Sequence, residues 1–357
     1  MIAGGGTGGH IYPALTIAKA IQQLNKNWEV EFVGTPDGLE SKIIPKEGFK
    51  INFISVGKLN YSGSFFKKIL TLFRLPWGFI KCLALIIEKK PVLVLGVGGY
   101  ASGPFVLASS IMGVPTALWE PNAHPGLTNR ILARFVRKCF IVFDDAKKNL
   151  KARSFMTVGI PVREEIEKLQ LADSVPHDNF RVLVFGGSQG ARAINNTVKE
   201  MILNNKWDNV EFVHQTGVND YQEVNEAYKN LSFVKAHEYL YQMDQNYIWA
   251  DLVICRAGAG TVAEIAAAKK TAIFIPLPSA ADDHQKKNAE ALVKQNAGFM
   301  IEQKDLSAEV LYKKVLELKN NVELRKTTSQ NVRAFFQPQA AQKMAEQIVN
   351  LQYENEE

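Results

Sequence analysis

Short runs of apolar and β-branched residues alternate along the chain with longer segments whose apolar positions recur every three or four residues. The runs at 30–34, 92–96, 116–120, 138–143, 182–185, 210–215, 252–255 and 271–275 read as strands. They are continuous rather than alternating, as a strand buried on both faces requires. Helix-length segments lie between several of them, at 11–24, 126–135 and 261–269. Strand–helix alternation predicts an α/β fold with doubly wound parallel sheets, covered by helices on both faces. A polar stretch at 171–179 follows Gly159-Ile160-Pro161 and precedes a fresh strand at Val182, so the chain divides near its middle into two such domains. The last helix is predicted to start at Pro338, a good first-turn residue, and carries Ala341, Met344, Ile348 and Leu351 at helical spacing.

Composition narrows the class. A chain of 357 residues suits two domains, and 46% hydrophobic with 22% charged residues supplies two cores, which excludes disordered and fibrous classes. The three cysteines are too widely spaced for a zinc site or a disulfide framework. The opening residues run straight into glycines and do not read as a signal peptide. A formal net charge of +6 favours anionic partners: nucleotides, nucleic acid or an anionic membrane surface. Residues 65–77 mix large apolar and basic side chains. Arg74, Pro76 and Lys81 interrupt the apolar run, which argues against a membrane span and for a patch lying on anionic lipid. Residues 79–87 read as a crossover helix packed on a sheet.

Three glycine-rich segments stand where strands end. The first, Gly4-Gly5-Gly6-Thr7-Gly8-Gly9-His10, contains G-x-G-x-x-G ahead of the helix at 11–24. Glycines let backbone N–H groups approach a ligand closely, and the helix N-terminus behind them favours negative charge. Five glycines in six positions exceed what a tight turn needs. A nicotinamide site would place an acidic residue at the end of the second strand, but here Val33 is followed by Gly34-Thr35-Pro36. The second segment, Gly186-Gly187-Ser188-Gln189-Gly190-Ala191, follows the strand at 182–185. Its Ser188 suits either a phosphate contact or a helix N-cap. The third is Cys255-Arg256-Ala257-Gly258-Ala259-Gly260-Thr261-Val262-Ala263-Glu264. Thr261 and Glu264 match the S/T-x-x-E capping box, and the same carboxylate, one turn into a helix, also suits both hydroxyls of a ribose.

These loops, in this order, together with GVGGYASGP (96–104), WEPNAHPGLTNR (119–130), GIPVR (159–163) and DDHQKKNA (282–289), resemble the MurG family. Its members are bacterial transferases that add N-acetylglucosamine to a lipid-linked muramyl-pentapeptide. The resemblance covers nearly the whole chain and implies a GT-B fold, two Rossmann-like domains facing across a cleft. Residues 1–160, joined by the C-terminal helix 337–357, would form the acceptor and membrane-docking domain, and 161–336 the UDP-GlcNAc domain. Carried over residue by residue, Thr7, Gly8 and Gly9 lie against the donor, Asn122 contacts its sugar, and Arg163 is a donor-side arginine. Ser188 takes a phosphate, and Leu240 meets uracil through its backbone. Ala259, Gly260, Thr261, Val262 and Ala263 lie beneath the nucleotide, Glu264 binds ribose, and Gln285 reads sugar hydroxyls. The sequence departs from the family pattern in three places. Only Met1, Ile2 and Ala3 precede the first loop, so the first strand is nearly missing. Pro121 stands where glutamine is common, and His284 replaces one of two glutamines.

The implied reaction is an inverting transfer of GlcNAc from UDP-GlcNAc to the 4-hydroxyl of the muramic acid in lipid I, giving lipid II for peptidoglycan synthesis. No Asp-x-Asp occurs in the chain. Helix N-termini and loop N–H groups are therefore expected to carry the diphosphate charge, with no essential metal and no cofactor. His10 begins a helix whose positive end favours the neutral imidazole. It is the first candidate for the general base, against a capping or packing role. Glu120, at a strand end where ligands gather in α/β sheets, is the second candidate. Tyr100 is expected to orient the acceptor. His124, His214 and His237 show no metal-ligand grouping. The partners implied are UDP-GlcNAc, lipid I, an anionic inner-leaflet surface and other cell-wall synthesis proteins, without nucleic acid. The place implied is the cytoplasmic face of the inner membrane. Three other readings stay open: a different GT-B UDP-sugar transferase or UDP-GlcNAc epimerase, a non-catalytic nucleotide-sugar or lipid-binding module, and, most distantly, a nicotinamide oxidoreductase.

Overall fold

In the computed structural model every strand pairing among the described residues is parallel. Those residues are 1–6, 8–54, 65–99, 101–171, 177–187, 190–280 and 283–353, with the backbone alone described at 8, 65–76, 170–171 and 353. Packing divides the chain into two units, Met1–Arg163 with Gln337–Glu357, and Glu164–Phe336.

The first unit has strands β1 (Ile2–Gly4), β2 (Glu31–Gly34), β3 (Lys50–Phe53), β4 (Val94–Gly98), β5 (Thr116–Glu120), β6 (Lys138–Ile141) and β7 (Phe155–Thr157), ordered β3-β2-β1-β4-β5-β6-β7. Its helices are α1 (Gly8–Leu24), α2 (Glu40–Lys46), α3 (Phe65–Lys89), α4 (Ser102–Ile111) and α5 (Leu127–Leu132). The strand that looked nearly missing from the sequence is present and central. Ile2 pairs with Phe32 on one side and Leu95 on the other. Ile2 and Ala3 are buried, and the Met1 ammonium donates to the Leu93 carbonyl at 2.7 Å. A strand with a ladder on each edge and cover on each face needs few residues to be held. Strand order reverses between β1 and β4, the switch point at which open α/β sheets bind ligands.

The second unit has strands β8 (Phe180–Phe185), β9 (Val210–Gln215), β10 (Val234–His237), β11 (Leu252–Cys255), β12 (Thr271–Phe274) and β13 (Phe299–Met300), ordered β10-β9-β8-β11-β12-β13. The helices are α6 (Glu164–Glu167), α7 (Arg192–Asn204), α8 (Tyr221–Tyr228), α9 (Met243–Trp249), α10 (Ala259–Ala267), α11 (His284–Val293), α12 (Ala308–Asn320) and α13 (Val322–Arg333). Val182, Val184, Phe212 and Ile254 of the sheet share one core with Ile194 and Val198 of α7 and Val315 of α12. Here the switch point falls between β8 and β11.

The last helix, α14 (Ala340–Tyr353), belongs to the first unit and packs on α1. It starts two residues after Pro338 because Gln339 takes a left-handed backbone, φ 59°. Ala341, Met344, Ile348 and Leu351 are all buried, as their spacing requires. The segments at 65–77 and 79–87 are one continuous helix, α3. Cys82 and Ile86 face inward, whereas Trp77, Ile80 and Ile87 are exposed. Among the described residues no helix is long and apolar enough to cross a membrane.

Candidate active site

At the first switch point the glycine loop after β1 and the segment after β4 lie side by side. The Gly5 N–H donates to the Gly98 carbonyl at 3.3 Å. His10, in the first turn of α1, lays its ring against Gly98. Gly98 has φ +97°, and a Cβ there would stand 2.8 Å from the imidazole Cε1, so conformation and space both demand glycine. Beneath the loop sits a residue the sequence did not single out. Glu40, 2% exposed, accepts from the Gly6 N–H (2.7 Å), the Thr35 N–H (3.0 Å) and the Thr35 hydroxyl (2.8 Å). Burial pushes its pKa up, but the hydrogen bonds outweigh burial and hold it below the usual carboxylate range. Thr7 and Tyr100 lie outside the described residues.

Glu120 ends β5 and is as deeply buried as Glu40. Its Oε1 accepts from the Asn122 N–H (2.9 Å) and Asn122 Nδ2 (3.1 Å). Its Oε2 accepts from the Gly126 N–H (3.2 Å) and Asn129 Nδ2 (2.9 Å). Burial raises its pKa, and these donors oppose the rise without cancelling it. Both oxygens are thus engaged in holding the loop that carries Asn122.

At the second switch point β8 and β11 each run into a glycine loop and then a helix, α7 and α10. Gly190 has φ +74°, and a Cβ there would meet the Thr216 carbonyl oxygen at 2.0 Å, so only glycine lets this loop rest on the end of β9. Ser188 lies outside the described residues. Gln215, the last residue of β9, ties two loops together. Its Nε2 donates to the Gly187 carbonyl (3.0 Å), and its Oε1 accepts from the N–H of buried Leu240 (3.2 Å). Behind these loops His214 is buried between the Tyr228 hydroxyl (3.0 Å) and Asn195 Oδ1 (3.1 Å), and burial pushes its pKa down to about 3.

The capping-box reading of the third loop is overturned. α10 begins at Ala259 with Gly258 as its N-cap, so Thr261 is already inside the helix and Glu264 lies a turn further on. The residues 259–263 thus present the helix's positive end. Glu264 is half-buried, and its Oε2 accepts from the Tyr247 hydroxyl at 3.0 Å. Gln285, in the first turn of α11, accepts the Leu277 N–H at 3.0 Å. Arg256 braces the same stretch by donating to the Ile275 and Pro276 carbonyls, both at 3.0 Å. Arg163 ends the first unit instead of opening the second. Among the described residues no three His, Cys, Asp or Glu side chains are grouped to hold a metal ion.

Residues 1–141 match the glycosyltransferase family 28 N-terminal domain, and 181–347 match the family 28 C-terminal domain. The chain is 50% identical over 352 residues to the UDP-N-acetylglucosamine--N-acetylmuramyl-(pentapeptide) pyrophosphoryl-undecaprenol N-acetylglucosamine transferase of Bdellovibrio bacteriovorus, covering 98% of each chain. It is 42% identical over 354 residues to the transferase of the same name from Myxococcus xanthus, covering 98% of this chain and 92% of that one. The crystal structure of Acinetobacter baumannii MurG matches it with a TM-score of 0.80 at 29% identity, over 98% of both chains. The chain belongs to the MurG family. It is a glycosyltransferase of the GT-B fold class. A UDP-GlcNAc 2-epimerase from Neisseria meningitidis, with a TM-score of 0.66 at 12% identity and 98% of both chains covered, shares the fold alone. Membership of the MurG family also sets aside the nicotinamide reading of the first glycine loop.

Proposed function

We propose that this chain is the inverting transferase that moves GlcNAc from UDP-GlcNAc to the 4-hydroxyl of MurNAc in undecaprenyl-diphospho-MurNAc-pentapeptide, lipid I, and so makes lipid II. The observation that carries the reading is the second switch point: two glycine loops lead into the N-termini of α7 and α10, with Glu264 a turn into α10. Helix N-termini and loop N–H groups, Ser188 included, take up the charge of the departing diphosphate. Ala259, Gly260, Thr261, Val262 and Ala263 cradle the nucleotide, and Glu264 accepts from the ribose. Because the Leu240 N–H is already given to Gln215, its carbonyl is the backbone group that meets uracil. Gln285, Asn122 and Arg163 read the donor sugar and diphosphate, with Thr7, Gly8 and Gly9 against them.

In the reaction the acceptor oxygen bonds to the anomeric carbon of GlcNAc on the face opposite UDP. The bond to the diphosphate breaks, and UDP leaves with its electrons. His10 takes the proton from the 4-hydroxyl, Tyr100 orients the acceptor, and Glu120 acts through Asn122 by fixing its loop. The exposed face of α3 rests on anionic lipid, which places the enzyme peripherally at the cytoplasmic face of the inner membrane, within reach of other cell-wall synthesis proteins.

Turnover with UDP-GlcNAc and a lipid I analogue tests the reading. His10→Ala should lower turnover about 10²–10⁴-fold, the usual worth of general-base help, with UDP binding kept. Glu120→Gln should weaken donor binding as well, because it disturbs the loop that carries Asn122. Full turnover in His10→Ala would remove the base assignment. UDP binding without any transfer by the unaltered chain would favour a non-catalytic binding module.

A further inference from the structure

We propose that Tyr247 is a positioning residue that aims the Glu264 carboxylate at the nucleotide, and thereby sets how strongly the site distinguishes a ribose from a sugar lacking both hydroxyls. The proposal rests on the reading of Glu264 as the ribose-facing carboxylate. Tyr247 lies on α9, well away in sequence from the glycine loops, and no motif marks it. It is 0% exposed, one of the largest fully buried side chains in the protein. A buried phenol hydroxyl needs a partner inside the protein, and here it donates to Glu264 Oε2 at 3.0 Å.

The ring itself has little freedom. It stands edge-on to Phe185, with centroids 6.3 Å apart and planes at 77°. Phe185 is the last residue of β8, directly before the second glycine loop, and Glu264 lies on the helix that follows β11. Tyr247 therefore links the two sides of the switch point, its ring on β8 and its hydroxyl on the helix that follows β11. A glutamate side chain turns about several bonds, and one hydrogen bond from an immobile donor removes most of that freedom before any ligand arrives. Ordering the carboxylate in advance lowers the cost of binding for ligands that use it and for no others.

Titration of UDP and of 2′,3′-dideoxy-UDP into the unaltered chain, Tyr247→Phe, Glu264→Ala and the double variant tests this. Tyr247→Phe keeps the ring, and a thermal melt on each sample confirms folding. The expected result is a loss of about three- to tenfold in UDP affinity for Tyr247→Phe, the usual cost of ordering one side chain on binding. Dideoxy-UDP affinity should stay within about twofold, and Tyr247→Phe should add nothing in the Glu264→Ala background. A purely structural tyrosine would weaken both ligands alike. That result, or no change with either ligand while Glu264→Ala still loses UDP selectively, overturns the proposal and leaves the Glu264 reading standing. Equal binding of both ligands by Glu264→Ala and the unaltered chain would overturn the Glu264 reading and the proposal together.

Discussion

His214 stays neutral inside the fold because burial holds its pKa at about 3, against an unfolded value of 6.5. The sign follows from proton counting. Below pH 6.5 the unfolded chain binds a proton that the folded one refuses, so this residue costs the fold stability as pH falls, down to about pH 3. The slope approaches about 1.4 kcal/mol per pH unit well below the upper limit. Glu40 acts in the same direction: its depressed pKa supplies stability above the unfolded carboxylate value, and that stability goes as pH drops through the folded one. Urea unfolding between pH 7 and pH 5 should therefore show falling stability, with His214→Gln flatter over that range; equal slopes in the two proteins would dissociate His214 from the loss. Candidate residues stood out in the sequence where they fell inside a glycine loop, as His10 and Glu264 do, and Gln285 came only with the family resemblance. Glu40, Gln215 and Tyr247 did not stand out, because each acts on a partner 17 to 34 positions away. Gln215 alone left a trace, since it is the last residue of a strand at the ligand edge of its sheet.

Elements divide in the same way between legible and hidden. The inner strands β2, β4, β5, β6, β8, β9, β11 and β12 announce themselves as mainly apolar runs, because neighbours and helices cover them. The strands that the pattern missed include β3, β7, β10 and β13, the edges of the two sheets. Lys50–Phe53 has no residue buried outright, so it has no apolar run to display. β1 escaped for a different reason: it is too short to show a period. The helices predicted at 11–24, 126–135, 261–269 and after Pro338 are present, but their starts were not legible, as α10 and α14 show. Loops between elements depend on side chains that no pattern reveals, and Gln215 is the clearest case. Replacing it with leucine frees the Gly187 carbonyl and the Leu240 N–H together. Losing such buried hydrogen bonds costs roughly 1–3 kcal/mol, so UDP affinity measured by calorimetry should fall about tenfold. Unchanged affinity in a folded Gln215→Leu protein would mean that the two loops are held by other contacts.

On the scale of the whole molecule, the proposed membrane contact would combine a net charge of +6 with an apolar stripe on α3. Trp77, Ile80 and Ile87 repeat at three- and seven-residue steps, so they share one face of the helix, opposite buried Cys82 and Ile86. A large apolar side chain leaving water is worth about 1.5–3 kcal/mol when fully buried. Replacing all three with serine should therefore weaken binding to anionic vesicles at least about tenfold, with UDP affinity unaltered. Raising salt should weaken the unaltered protein through its basic residues. Vesicle binding that survives the triple replacement would move the docking face elsewhere on the molecule.

A ribosome makes α1 before the second unit and α14 after it. Because α14 packs on α1, the first unit stays open along that helix until all of the second unit has been synthesised. The second unit is continuous in sequence and can close as soon as it has emerged, as domains generally do. The helix behind the first glycine loop, made before any of the second unit, is thus sealed only after the whole of that unit has been made.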